Sequence, residues 1–300
     1  MTTEHFNKPL LGILCMVSAA AFLSVMNLLT KQLGSIFSAN DIVILRNIAT
    51  VSLLIFGLII LRRLELLKTA RPGAQFIRAV VGTAAFTCFV IAFIMLPLGL
   101  VTALGFTAPL FTALLSYPLL KERVSWQRFL AIAVGFSGVL VFVGPEWSDN
   151  KLGISLALFA GFLNGFVQIS LRWLGRTEHT ATTNFYFMLF GLLFCLFLMP
   201  FFPAMPVSAI PDQTFLLFLL GIVSLGSLLL KTQAYRYGDA ALISPFSYTM
   251  ILWAFLFDYL FYNRLPTASL LVGGSIIIGS NLFILYREHR KKKLMQTQPV

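Results

Sequence analysis

The chain has 300 residues, 58% of them apolar and only 11% charged, where a water-soluble domain carries about a quarter charged residues. Its 30 Phe, 8 Tyr and 4 Trp outnumber its charged side chains, and with a mean hydropathy of +0.89 the apolar surface exceeds what one aqueous core can hide. A soluble globule is excluded. The net charge of +11 does not point to nucleic acid either, because nucleic-acid binders spread their cations over a wet face among polar groups.

A bilayer crossing takes about 20 apolar residues. In chain order, unbroken apolar stretches predict spans at Leu10 to Lys31, Ile42 to Leu61, Phe76 to Leu96, Leu98 to Leu120 and Phe129 to Val143. A second five follow at Leu152 to Leu171, Thr180 to Pro200, Phe215 to Tyr235, Ala240 to Leu260 and Leu270 to Tyr286. The first run is longer than the apolar core of a cleaved signal peptide, so it is expected to stay as a helix.

With a cytoplasmic N-terminus, the inner segments hold 18 of the 22 cations: Lys8; Arg62, Arg63, Lys68, Arg71 and Arg78; Lys121, Arg123 and Arg128; Arg172 and Arg176; Lys231 and Arg236; and Arg287, Arg290 and Lys291 to Lys293. Outside remain Lys31, Lys151 and Arg264, with Arg46 inside a span. The positive-inside rule then places both termini in the cytoplasm. The tail from Arg287 reads as an anchor rather than a lipid-binding device.

Shifting the chain by 141 residues lays Gly12, Ile13, Ala19, Leu33 and Gly34 on Gly153, Ile154, Ala160, Leu174 and Gly175, and Lys31 on Arg172. The same shift lays Arg123 on Arg264 and Gly138 on Gly279. Matches at both ends of a half under one offset mark an internal repeat. Five crossings per copy is an odd number, so the second copy runs upside down. The expected fold is therefore an all-α polytopic membrane protein of ten transmembrane helices in two inverted repeats, residues 1–146 and 147–286, with a basic tail at 287–300. Such pairs offer two packings of the same elements around a site near the midplane. Ala20 and Ser24, and their counterparts Gly161 and Gly165, form small-residue faces that pack within the monomer or build a homodimer seam.

Polar groups inside spans are costly and need a reason. Arg46, beside Asn47 in span two, can grip a carboxylate or phosphate with a forked pair of hydrogen bonds; it can also serve structurally, with Asp41 or backbone carbonyls as partners. Asn27 and Gln168 coincide under the offset, and Asn164 lies one turn before Gln168, so the three amides either line a shared cavity or tie helices together. Phe106, Tyr186, Tyr248 and Trp253 can stack on a planar or cationic solute, or pack as core rings. Asp258, an acid well inside span nine, can carry a proton or pair with Arg264.

Cys15, Cys88 and Cys195 fall in spans without metal-like spacing, and His5, His179 and His289 lie outside spans, so neither a disulfide framework, a metal centre nor a histidine relay is expected. Gly221, Gly226 and Ser227 lack the lysine of a phosphate loop, and Gly135, Ser137 and Gly138 lack the closing glycine of a nucleophile elbow. No catalytic residue, metal or cofactor is expected.

The two five-helix halves, with PLFTALLSYPLLKERVSWQRFLAIAVGFSGVLV from Pro109 to Val141, resemble the EamA-type drug/metabolite transporter superfamily over essentially the full length. Pro109, the Glu122 turn, Gln127, Gly135 and Gly138 carry the resemblance, while Asn263 and Arg264 stand where an acidic turn residue is usual. The stretch DYLFYNRLPTASLLVGGSIIIGSNLFILYREHR from Asp258 to Arg290 is similar to S-adenosylmethionine uptake carriers. The resemblance implies a secondary transporter of the bacterial inner membrane, its partners a small-molecule substrate and the lipid bilayer. It also implies central binding between both halves, with arginines at positions like Arg46 and Arg78. Uptake or exchange of a small polar metabolite such as S-adenosylmethionine is one expectation, and export of amino acids or drugs another. A non-transporting scaffold or intramembrane enzyme is the alternative of a different class, and the sequence leaves monomer or homodimer open.

Overall fold

Apolar runs of this length enter lipid as helices because each backbone N–H and C=O must find its partner within the run. The structure, a computed structural model, describes residues 9–120, 126–146, 150–174, 178, 180–237 and 243–296, and those residues contain helices and connections with no strand. Lys8, His5, the turn with Lys121, Glu122 and Arg123, Gly175, Arg176, His179 and the start of the ninth predicted span at Ala240 lie outside the described residues.

The helices are α1 (Pro9–Leu33), α2 (Ala39–Ile60), α3 (Pro72–Met95), α4 (Leu98–Gly105), α5 (Ala108–Leu120), α6 (Trp126–Glu146), α7 (Lys151–Leu174), α8 (Thr180–Leu198), α9 (Ile210–Tyr237), α10 (Thr249–Tyr262) and α11 (Ala268–Gln296). Eight stretches are long and apolar enough to cross a membrane, one of them joining α4 to α5 from Leu98 to Ser116. The apolar part of α6, Phe129–Val141, is shorter, and α10 has 14 residues.

Local chemistry sets the ends. Ser38 and Asp41 form a capping box on α2: the Asp41 amide donates to Ser38 Oγ at 3.2 Å, and the Ser38 amide to Asp41 Oδ2 at 3.1 Å. Asn263 closes α10 in the left-handed region, with φ of 51°, a conformation asparagine tolerates better than most residues. That requirement accounts for asparagine at a turn where the sequence comparison expects an acid.

Packing joins the halves throughout. The most extensive contacts are α1 on α9, α6 on α11 and α3 on α7. Exchanging the halves turns the α1–α9 pair into the α7–α3 pair, and α2–α9 into α8–α3, which is also observed. Small residues set the approach distances. A Cβ on Gly138 would lie 2.8 Å from the Gly273 carbonyl oxygen of α11, and one on Gly165 would lie 3.0 Å from the Thr112 amide of α5, so both seams run backbone against backbone. The small-residue face of α1 is likewise internal, since Ser24 Oγ donates to the Met250 carbonyl at 3.1 Å.

Candidate functional site

The fourth predicted span is not one helix. Pro109 has no amide to offer the Gly105 carbonyl and its ring crowds that carbonyl, so α4 ends at Gly105 and α5 begins at Ala108. The unwound turn is satisfied from within and without: Thr107 Oγ1 donates to the Leu104 carbonyl at 2.6 Å, and Asn281 Nδ2 of α11 donates to the Phe106 carbonyl at 2.8 Å. In the second half, a tight 3₁₀ turn from Ser244 to Tyr248 with Pro245 in it leads into α10. The 141-residue shift lays Gly105, Phe106 and Thr107 on Phe246, Ser247 and Tyr248. The two interruptions meet: the Phe106 and Tyr248 rings pack edge to face with centroids 4.8 Å apart.

Arg46 on α2 is 4% exposed, and no carboxylate lies within ion-pair reach among the described residues. Its Nε and Nη2 both donate to Asn47 Oδ1, at 3.2 and 2.7 Å, Nη2 also approaches Met188 Sδ at 3.8 Å, and the guanidinium lies 3.6 Å from the Phe86 ring centroid. Asp41 instead engages Ser38. One turn along α3 from Phe86, the Phe89 ring lies 3.6 Å from where a Gly105 side chain would begin, so α3 spans from the arginine to the α4 break.

Asn27 is buried, and Asn164 and Gln168 are half-buried; none makes a hydrogen bond among the described residues. Gly161 and Gly165 bring the Asn164 and Gln168 region of α7 against Thr107 and Phe111 at the broken span. Trp253 is half-buried on α10. Tyr186 lies away from the Phe106–Tyr248 contact: its ring packs on Phe185 and Phe190, and Phe190 meets the exposed Phe76. Among the described residues no cluster of His, Cys, Asp or Glu is fit to hold a metal ion, and the three cysteines are free.

The sequence matches the EamA-like transporter family over residues 10–144 and again over residues 151–286. The chain belongs to the EamA-like transporter family. It is a multi-pass membrane transporter and not an enzyme. An S-adenosylmethionine uptake transporter of Rickettsia prowazekii is 25% identical over 270 residues, which cover 89% of this chain and 90% of that protein. A pseudopaline exporter of Pseudomonas aeruginosa is 27% identical over 270 residues, covering 89% and 93%. A riboflavin transporter of Rhizobium johnstonii is 30% identical over 247 residues, covering 80% and 79%.

Three polar side chains of this EamA-like chain have partners that sequence reasoning does not give. Arg78, counted above among the flanking cations, is 5% exposed on α3; its Nη1 donates to the Thr183 carbonyl at 3.0 Å and its guanidinium sits 4.8 Å from the Phe187 ring. Asp258 is not joined to Arg264 through side chains: its carboxylate accepts the Leu98 and Gly99 amides at 3.0 and 2.7 Å, while the Arg264 amide donates to the Asp258 carbonyl at 3.0 Å. Lys31, assigned above to the outer boundary, donates to the Leu96 carbonyl. Only Pro97 signalled a corner there; the partners are too distant in sequence for any local pattern to reveal them.

Proposed function

We propose that the protein is a secondary transporter that moves a small polar metabolite by alternating access, with the solute held where the two interrupted helices meet. The carrying observation is the contact of Phe106 with Tyr248 at breaks that correspond under the internal repeat. Paired, interrupted spans in corresponding positions of two halves are the usual mark of a midplane site in inverted-repeat transporters. The exchange pattern of the helix contacts supports two inverted five-helix repeats, residues 1–146 and 147–286. The cation distribution supports ten crossings of a bacterial inner membrane with both ends, and the basic tail, in the cytoplasm.

In this reading Arg46, oriented by Asn47, takes an anionic group such as a carboxylate; Phe106, Tyr248 and Trp253 take a planar or cationic part; and Asn27, Asn164 and Gln168 take hydroxyls or amines. Tyr186 serves from the α8 side when the bundle rearranges. S-adenosylmethionine offers all three chemistries in one molecule and is the first candidate, by uptake or exchange, in keeping with the Rickettsia relative. Export is the second reading, favoured by the pseudopaline exporter, since a two-sided site does not by itself fix direction.

Flux of labelled S-adenosylmethionine, riboflavin and amino-carboxylates into proteoliposomes, loaded or empty, tests the proposal. Saturable flux is expected for at least one of them, and Arg46→Ala is expected to lower it by at least about a hundredfold, as removal of a forked charge-assisted contact does. Flux that stays unsaturable for every solute, or an Arg46→Ala protein as active as the parent, overturns the reading.

A further inference from the structure

The corner between α3 and α4 is gripped from both sides of its dipole. The α3 carboxyl end presents the Leu96 carbonyl to Lys31 of α1. The α4 amino end presents the Leu98 and Gly99 amides to the Asp258 carboxylate of α10. A cation at a helix carboxyl end and an anion at a helix amino end are both favoured by the macrodipole. Asn150, at the start of α7, adds a bond from its Nδ2 to the Met95 carbonyl at 3.3 Å. Two of the three grips therefore come from the second half of the chain and hold a corner of the first.

Asp41 and Asp258 are the buried acids among the described residues. Asp41 caps its own helix through a neighbour three residues away; Asp258 caps a helix 159 and 160 residues away. Asp258 also lines a cavity of about 290 Å³ with Pro97, Leu100, Arg264, Pro266 and Thr267 at this end of the bundle. Below that cavity Phe255 packs against Gly99, and Leu104 and Ala103 are sealed in the core.

We propose that Asp258 is a proton-binding latch: as a carboxylate it clasps α4 to α10 and shuts the solute path at the end where α1 and α10 finish, and on taking up a proton from the cavity it releases α4. The proposal deepens the alternating-access reading above and rests on it. A carboxylate accepts both amides; the neutral acid turns one oxygen into a donor, which faces an N–H and loses that bond, and it withdraws the counter-charge from the helix end. The charged groups that face Asp258 are Lys31 from α1 and Arg264 from the following loop, with Tyr262 of α10 as the other titratable neighbour; α4 contributes only backbone amides. A proton is thus the co-transported or counter-transported ion of this site.

The test needs no solute. Ala103→Cys places a near-isosteric thiol one turn below the latch, and its labelling by a membrane-impermeant maleimide is followed from each face of the membrane separately, against the parent chain with its native cysteines. With each rate divided by that of free glutathione in the same buffer, which removes the pH dependence of thiolate formation, labelling from the face bearing the Asp258 cavity is expected to be slow in mildly alkaline buffer and at least about tenfold faster in mildly acidic buffer, the factor that loss of one charge-assisted hydrogen bond gives. Adding Asp258→Asn is expected to make it fast in both buffers, and Asp258→Glu to restore the pH response. A reporter whose labelling ignores pH on both faces, or an Asp258→Asn protein labelled as slowly as its parent, overturns the latch. If Asp258→Asn does not accumulate, the pH response of the Ala103→Cys chain alone decides. A wrong topology moves the labelling to the other face and keeps its pH response, so the two failures are told apart.

Discussion

Arg46 carries a full charge in a place where nothing ionic answers it. Its two donors share a single amide oxygen of Asn47 and its face rests on Phe86, contacts that orient the guanidinium but leave Nη1 without a bond among the described residues. A buried ion without a counter-ion destabilises the fold, and replacing it by an apolar side chain of similar length is often neutral or better. Arg46→Met, which loses the Asn47 contacts but also the cost of burying the charge, is expected to shift unfolding stability by no more than about 1–2 kcal/mol while abolishing flux. A melting series in detergent beside the vesicle assay checks this; a large loss of stability would make the arginine structural. The residue itself was legible in the sequence as a charge inside an apolar run. Its partner was not: Asp41, five residues back, is the acid nearest in sequence, but the capping box at Ser38 takes it away, and the adjacent Asn47 orients the guanidinium instead.

At the scale of a helix, hydropathy finds where lipid lies but is blind to where the backbone unwinds. The run from Leu98 to Leu120 is apolar throughout, so it reads as one span, yet Pro109 denies the Gly105 carbonyl its usual donor and the helix parts at Phe106 and Thr107. The break is tolerated because Asn281, 175 positions along the chain, donates to the Phe106 carbonyl. Asn281→Leu is expected to lower unfolding stability by about 1 kcal/mol, the usual worth of a hydrogen bond between membrane helices. The loss stays small because the Oδ1 removed with it has no partner among the described residues; chemical denaturation of the detergent-solubilised protein reads the difference, and a change of several kcal/mol would mean that Asn281 holds far more than one carbonyl. The repeat offset, by contrast, placed the corresponding break before α10 within reach of sequence reasoning, since it lays Pro245 on Leu104, one position ahead of Gly105.

For the molecule as a whole, the cation pattern and the helix order make one testable statement. Cysteines placed in the 62–71 connection and in the tail beyond Tyr286 are expected to react from the cytoplasmic face, and those at Ser35 and Thr267 from the other; labelling of the tail and the 62–71 connection from opposite faces would break the inverted arrangement. The membrane-spanning, all-helical character and the doubling of the chain were readable in advance because they are sums over many residues. The joins between the halves were not, because each depends on one side chain meeting a backbone group across the bundle. Those joins also bear on how the protein is made. The Leu98 and Gly99 amides and the Phe106 carbonyl leave the ribosome about 160 to 175 residues before Asp258 and Asn281 are added, a delay of roughly ten to thirty seconds at ordinary synthesis rates. Through that interval the newborn first half sits in lipid with its α4–α5 stretch unfinished. An insertase, lipid headgroups or trapped water must shelter those groups until the second half arrives, and a chain halted midway is a natural target for membrane quality control.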